Sequence, residues 1–188
     1  MLDSVHLARW LEHFVESEIT FLLFPSSPHR RLHPALENLL KSALSAKFRL
    51  IPGARLLGLP LWAIDKLTNN FFRSTLLAII AKGFQPHFVH ALEFQNAGYV
   101  VSRAFSKRLE KTPLLIGTNY GSDLFWFARD VRHARKISRF LSQLNRYAAE
   151  CQRDVQLAKS LGFAGTVMEV MPNAGGFSSD ELTQSLID

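Results

Sequence analysis

The sequence predicts an α/β protein: a Rossmann-like, mostly parallel sheet with helices on both faces. Three observations predict it. Short apolar runs closed by Pro, Gly or Asn alternate with segments whose apolar residues recur at helical spacing. The runs are apolar without polar alternation, as in strands covered on both faces. From Phe88 onward these strand and helix segments succeed one another regularly, as βαβ units do.

A helix opens the chain from Val5 to Glu18, through Leu7, Leu11, Phe14 and Val15, with Ser4 as its N-cap. Ile19 to Phe24 reads as a short buried strand ended by Pro25-Ser26-Ser27-Pro28. Ala35 to Leu50 repeats the helical pattern through Leu36, Leu39, Leu40, Ala43 and Leu44, and Ile51-Pro52-Gly53 interrupts it. A further helix is expected from Leu61 to Lys82, stopping at Gly83, and these two helices are expected to form a basic, apolar hairpin. Phe88 to Leu92 follows as strand, Ala97 to Glu110 as helix, Leu114 to Thr118 as strand and Arg129 to Leu144 as helix. Tyr147 to Ala149 is a very short strand, Gln152 to Leu161 a helix capped by Gly162, and Thr166 to Met171 a last strand ending in Pro172-Asn173. Ligands on such sheets bind at the carboxyl ends of the strands, which directs attention to the loops after Leu92, Thr118 and Met171.

Composition narrows the class. At 188 residues, 47% of them hydrophobic and 20% charged, the chain suits one ordinary globular domain. Cys151 is the only cysteine, which rules out an internal disulfide and a Cys-based zinc site and fits a reducing compartment. No apolar run approaches the roughly 20 residues needed to cross a bilayer, and the first residues carry Asp3, Arg9, Glu12 and Glu16, unlike a signal peptide. The chain is therefore read as cytoplasmic. The net charge is +6, unevenly spread. Arg30, Arg31, Lys41, Lys47, Arg49 and Arg55 face Glu37 alone, and Arg129, Arg132, Arg135, Lys136 and Arg139 cluster around Asp130. Such faces suit phosphates, anionic lipid headgroups or nucleic acid, or are solvated helix surface.

The strand exits hold the candidate chemistry. Gly117-Thr118-Asn119-Tyr120-Gly121-Ser122-Asp123 is dense in small and polar residues. Gly121 lets backbone N–H groups approach a ligand, Ser122 or Asp123 can cap the next helix, and Tyr120 can stack on a sugar or nucleobase. The bland alternative is an ordinary strand-to-helix turn. His90 and Glu93 stand beside Gln95 and Asn96 at the earlier exit. Glu93 can take a proton or hydrogen bond from an acceptor hydroxyl that Gln95 or Asn96 orients; alternatively His90 is a satisfied core histidine and Asn96 a helix N-cap. At Glu150-Cys151-Gln152-Arg153-Asp154, Arg153 either meets a phosphate or pairs with Glu150 or Asp154.

These segments, followed by Gly162-Phe163-Ala164-Gly165 and Pro172-Asn173-Ala174-Gly175-Gly176, together resemble family-four retaining glycosyltransferases of the GT-B fold. His90-Ala91-Leu92 is similar to the family's His-Ala-His strand end, with the second histidine replaced. Thr118-Asn119-Tyr120-Gly121-Ser122-Asp123 is similar to its Thr-x-His-Gly-x-Asp loop, with Tyr120 in the histidine's place. The resemblance implies an incomplete N-terminal, acceptor-side domain over residues 1–176, with 177–188 beginning a linker or tail. The family's first strand and Gly-rich loop are not matched, nor is its C-terminal, nucleotide-binding domain. It implies transfer of a sugar from a nucleotide-diphosphate sugar to a glycan or lipid-linked acceptor with retention. Donor-side residues would be Tyr120, Gly121 and Asp123, acceptor-side residues His90, Glu93, Gln95 and Asn96, and Arg153 a candidate phosphate contact. No metal or cofactor is implied, and the fragment alone is expected to be inactive. The basic, apolar hairpin from Ala35 to Lys82 could rest on the inner face of an anionic membrane. The rival reading is a non-catalytic Rossmann-like module that binds a nucleotide or anion; nucleic acid ranks last because no recognition motif accompanies the basic clusters.

Overall fold

The computed structural model describes residues 4–26, 31–42, 47–51, 63–65, 67–106 and 112–172. Helix α1, Val5–Glu12, opens with the expected cap, Ser4 Oγ accepting the His6 N–H at 3.2 Å. It ends earlier than its apolar spacing suggests because Lys47 Nζ donates to the Phe14 and Val15 carbonyls, at 3.3 and 2.6 Å, and holds the chain in a turn there. Strand β1, Phe21–Leu23, follows, then α2, Pro34–Lys41, with proline at its start and the His33 ring accepting the Ala35 N–H.

The expected helix from Ala35 to Leu50 is corrected here. It stops at Ser42, and Phe48–Leu50 is strand β2, paired in parallel with β1 in the register Phe21↔Phe48 and Leu23↔Leu50. Buried Phe48 packs its ring against Phe21 of β1 at 5.6 Å, and the Ile51 N–H donates to the Leu23 carbonyl at 3.3 Å, pairings that a helix here would not make. The expected helical hairpin therefore gives way to a helix, a strand and a later helix. That later helix, α3, is Phe71–Phe84, preceded by Asn69 and Asn70 with φ of 53° and 65°, a break no continuous helix can contain. Gly83 lies inside α3, and Gln85 at φ 50° takes the left-handed capping position expected of the glycine.

Beyond α3 the expected alternation holds. Strand β3, Phe88–Leu92, leads into a π-helical turn, Phe94–Gly98, and α4, Tyr99–Ala104. Helix formation thus begins at Phe94 rather than Ala97; the predicted stretch from Lys107 to Glu110 lies outside the described residues. Strand β4, Leu114–Thr118, is followed by α5, Ser122–Phe125, a short 3-10 turn, and α6, Val131–Leu141, capped by Asp130. Strand β5, Arg146–Ala148, α7, Gln152–Ser160, and the brief β6, Thr166–Val167, complete the series. Gly162 sits at φ 101°, the glycine-favouring conformation expected after α7. Asn173 to Gly176 lie outside the described residues.

Two parallel sheets result: β1-β2, and a four-stranded sheet in the order β3-β4-β5-β6. Helices cover both faces of the larger one. Gly117 turns to the C-terminal end of α6, where a Cβ would strike Leu144, just past the helix, at 2.6 Å and Phe140 at 3.3 Å, while its neighbour Thr118 meets His90, whose ring packs edge-on against Trp10 of α1 at 4.8 Å. The main core lies beneath this sheet around Phe94, Phe140, Tyr147 and Leu124, all fully buried; a second core under β1-β2 gathers Leu11, Leu36 and Phe48. Leu92 and Phe24 pack against the opposite cores and join the two. Arg73 of α3 joins them again. Its guanidinium pairs with fully buried Asp65 and donates to the Ser26 carbonyl beyond β1, and Asp65 Oδ1 accepts the Phe72 N–H at 2.9 Å. No helix among the described residues is long and apolar enough to cross a membrane.

Candidate functional site

Three strand exits meet on one side of the larger sheet. Glu93, the first residue past β3, donates its N–H to the Thr118 carbonyl at 3.0 Å and then leaves the ladder at φ 78°. That conformation costs a non-glycine residue about 1–3 kcal/mol. The carboxylate offsets it: Oε1 accepts the Asn96 and Ala97 N–H groups at 3.0 and 2.8 Å, and Oε2 accepts Asn96 Nδ2 at 3.1 Å. Glu93 thus does the capping that the sequence suggests, as an alternative, for Asn96. Asn96 is held by Glu93 and does not lie free beside it.

Asp123 ties this exit to the next. Its Oδ2 accepts the Phe94 N–H at 3.1 Å and the Tyr120 N–H at 3.2 Å, and Gln95 Nε2 donates to the Asp123 carbonyl at 2.8 Å. Its Oδ1 has no partner among the described residues. Burial pushes the Asp123 carboxyl up to about 7, against the two N–H donors, with the charges of Glu93 and Glu150 adding to the rise. The third exit joins through Glu150, whose Oε2 accepts the Gly121 N–H at 2.9 Å. The backbone donor that Gly121 is expected to offer a ligand is therefore taken within the chain. The sequence suggests Glu150 only as a partner for Arg153; its place at the exit of β5 is the signal for this role.

Tyr120 is half-buried, its ring 6.0 Å from that of His6 on α1, a neighbour with no sequence signal. Burial and the Asp123 carboxylate push its phenol up to about 12. His90 stands apart from this network. It lies within β3, its Nε2 2.7 Å from Thr118 Oγ1, and burial lowers its imidazole to about 4. That is the satisfied histidine of the alternative reading. Arg153 is also committed: it pairs with buried Asp154 at 2.8 Å and lies over the Phe125 ring at 4.1 Å. Beneath, Asp154 Oδ2 accepts Asn119 Nδ2 at 2.9 Å, and Asn119 Oδ1 accepts the Tyr147 hydroxyl at 2.6 Å, a buried triad that fixes the floor of the β4 exit.

The arrangement offers carboxyl and hydroxyl groups to hydrogen-bond donors and holds three acidic side chains, Glu93, Asp123 and Glu150, close together. Among the described residues no group of three or more His, Cys, Asp or Glu could hold a metal ion. No known family, curated protein or solved structure matches the chain.

Proposed function

We propose that the chain is the acceptor-side half of a retaining glycosyltransferase, which transfers a sugar from a nucleotide-diphosphate sugar to a glycan or lipid-linked acceptor and works with a donor-binding half elsewhere. The observation that carries this reading is the acidic cluster at the strand exits, with Asp123 Oδ1 open. Sugar hydroxyls donate to carboxyl oxygens, whereas a phosphate set among Glu93, Asp123 and Glu150 would be repelled. The same observation weighs against a nucleotide- or anion-binding module at this place, as does the commitment of Arg153 to Asp154. Both Glu93 oxygens are engaged within the chain, so Glu93 shapes the acceptor side without being a free general base, which suits a reaction whose main demands are positioning and electrostatics.

A lipid-linked acceptor would be met at a membrane surface. Leu67, Phe71 and Ile79 expose 89, 47 and 64% of their surface along and before α3, beside Lys82 and Arg103, an apolar ridge with basic flanks. The ridge takes over the role expected of the helical hairpin.

Saturation-transfer NMR with short oligosaccharides and, separately, nucleotide-diphosphate sugars tests the proposal. The expected result is saturation transfer to the saccharide from the native chain and none from Asp123→Ala. Nucleotide binding indifferent to that substitution, with no transfer to the saccharide, would replace the proposal with the binding module. Co-sedimentation with vesicles rich in anionic lipid, reduced in Ile79→Asp, tests the surface contact.

A further inference from the structure

Helix α6 starts beyond the exit of β4 and returns to the start of β5, so its first turn shares the rim of the larger sheet with Asp123. Its apolar side, Ile137, Phe140 and Leu141, is fully buried, and His133 ties it to the Tyr99 hydroxyl at 2.8 Å. The helix therefore cannot roll, and its other side is fixed outward. That side carries Arg132, Arg135 and Arg139, all exposed, at the i, i+3, i+7 spacing that forms one row about 10 Å long. None of the three forms an ion pair with a carboxylate of the described residues. Asp130 is engaged as the helix cap, accepting the Arg132 and His133 N–H groups.

Along the chain between Asp123 and this row stand two exposed rings, Phe125 and Trp126, the latter exposing 62% of its surface. The Arg129 guanidinium lies 4.6 Å from the centre of the first and 5.1 Å from that of the second. Stacking holds it in place and leaves its N–H donors without an acceptor among the described residues.

Charge is thus segregated along one rim, with carboxylates at the strand exits and guanidiniums from Arg129 outward. A ligand laid across it would be drawn to α6 by its anionic groups, which the Glu93, Asp123 and Glu150 cluster repels. The planar guanidinium fork suits carboxylate and phosphate alike. An anionic membrane is a poorer fit, since the apolar side that α6 would insert is buried in the core. Single-stranded nucleic acid stacks successive bases on several exposed rings, whereas α6 beyond Trp126 exposes Val131 and no aromatic residue. A glycan needs one ring for one sugar, and can carry acidic groups behind a neutral end.

On the acceptor-side reading proposed above, on which this rests, we infer that the acceptor is an anionic glycan. A neutral sugar lies at Asp123, a following sugar stacks on Trp126, and carboxylate or phosphate groups behind them pair with Arg129 and the row on α6.

The probes are a short hyaluronan oligosaccharide, in which uronic and neutral sugars alternate, and its methyl ester, the same chain without charge. Both are titrated into the full chain, so that Asp180, Glu181 and Asp188, outside the described residues, compete for the arginines if they reach them. The charged probe should bind about tenfold or more tightly than the ester at low salt, a preference that shrinks as ionic strength rises to about 0.5 M. Joint Arg132→Gln, Arg135→Gln and Arg139→Gln should abolish the preference; the ratio of the two affinities reads this whatever fraction of the variant is folded. Trp126→Ala and Asp123→Ala should each weaken both probes. Equal binding of the two probes, or a preference that survives the triple substitution, overturns the inference and leaves the acceptor-side reading standing. So does failure of the charged probe where neutral oligosaccharides bind through Asp123, or tighter binding of single-stranded oligothymidylate to the same arginines. If no saccharide binds through Asp123, the acceptor-side reading falls and this inference with it.

Discussion

Asp123 Oδ2 accepts the N–H of Phe94 at 3.1 Å, so that one carboxyl from the exit of β4 fixes the first turn beyond β3. The same oxygen holds its own loop through Tyr120. Loop closure and the geometry of the candidate cleft therefore depend on one titratable group with its other oxygen open.

The pH dependence of that group follows from its environment. Its folded value, near 7, stands above the 3.8 of an unperturbed aspartate, so its contribution to stability is fully present below about pH 4 and is lost as the pH rises to about 7. Carbon-detected NMR should find one carboxyl titrating near neutrality. Asp123→Asn should remove that titration and with it the loss of stability between about pH 4 and 7.

His90 acts in the opposite sense. Burial lowers its imidazole from 6.5 to about 4, so the unfolded chain binds the proton more readily and stability grows as the pH rises from about 4 to 6.5. In the native protein this gain and the Asp123 loss offset each other over that range. In Asp123→Asn the gain should stand alone, visible as a urea midpoint that climbs between pH 4 and 6.5; a level midpoint would contradict the assignment.

Arg73→Ala should destabilise the chain by about 3–5 kcal/mol, because it leaves the fully buried Asp65 carboxyl without its guanidinium partner and removes a donor to the Ser26 carbonyl. The double variant Asp65→Asn with Arg73→Met should recover part of that loss. Chemical denaturation of the two variants compares them directly; equal losses would mean that Arg73 matters only through Ser26.

At Glu93 the order of two substitutions is diagnostic. Both Ala and Gly remove the carboxylate that caps the π-helical turn, at a cost of about 1–2 kcal/mol. Gly alone relieves the backbone at φ 78°, so Glu93→Gly should be the more stable by about 1 kcal/mol. At an ordinary capping position with extended backbone the difference would be far smaller.

Strands β3 and β4 are legible to the residue because their apolar runs are bounded by Pro and by polar exits, and α7 because Gly162 marks its end. Strand β2 is not. Its three residues continue a helical spacing, and only the β1 edge beside it, with buried Phe48 against Phe21, decides for strand. The site is legible as a set of loops but not as a network. Phe94 and Asp123, or Gly121 and Glu150, are about 30 positions apart, and nothing in local spacing says which carboxylate will meet which amide. Glu93 stands out in the sequence for its charge, and that charge serves the turn it stands in.

In the larger sheet neighbours in space are also neighbours along the chain, with Phe88 beside Leu114, Ile116 beside Arg146 and Arg146 beside Thr166. Each pairing closes a loop of only about 20–30 residues, for which the entropic cost is small. During synthesis β3 can wait for β4, β4 for β5 and β5 for β6, each new strand docking on the one before it as it leaves the ribosome. Assembly of this sheet requires no late threading, since none of its four strands has to be inserted between two already in place.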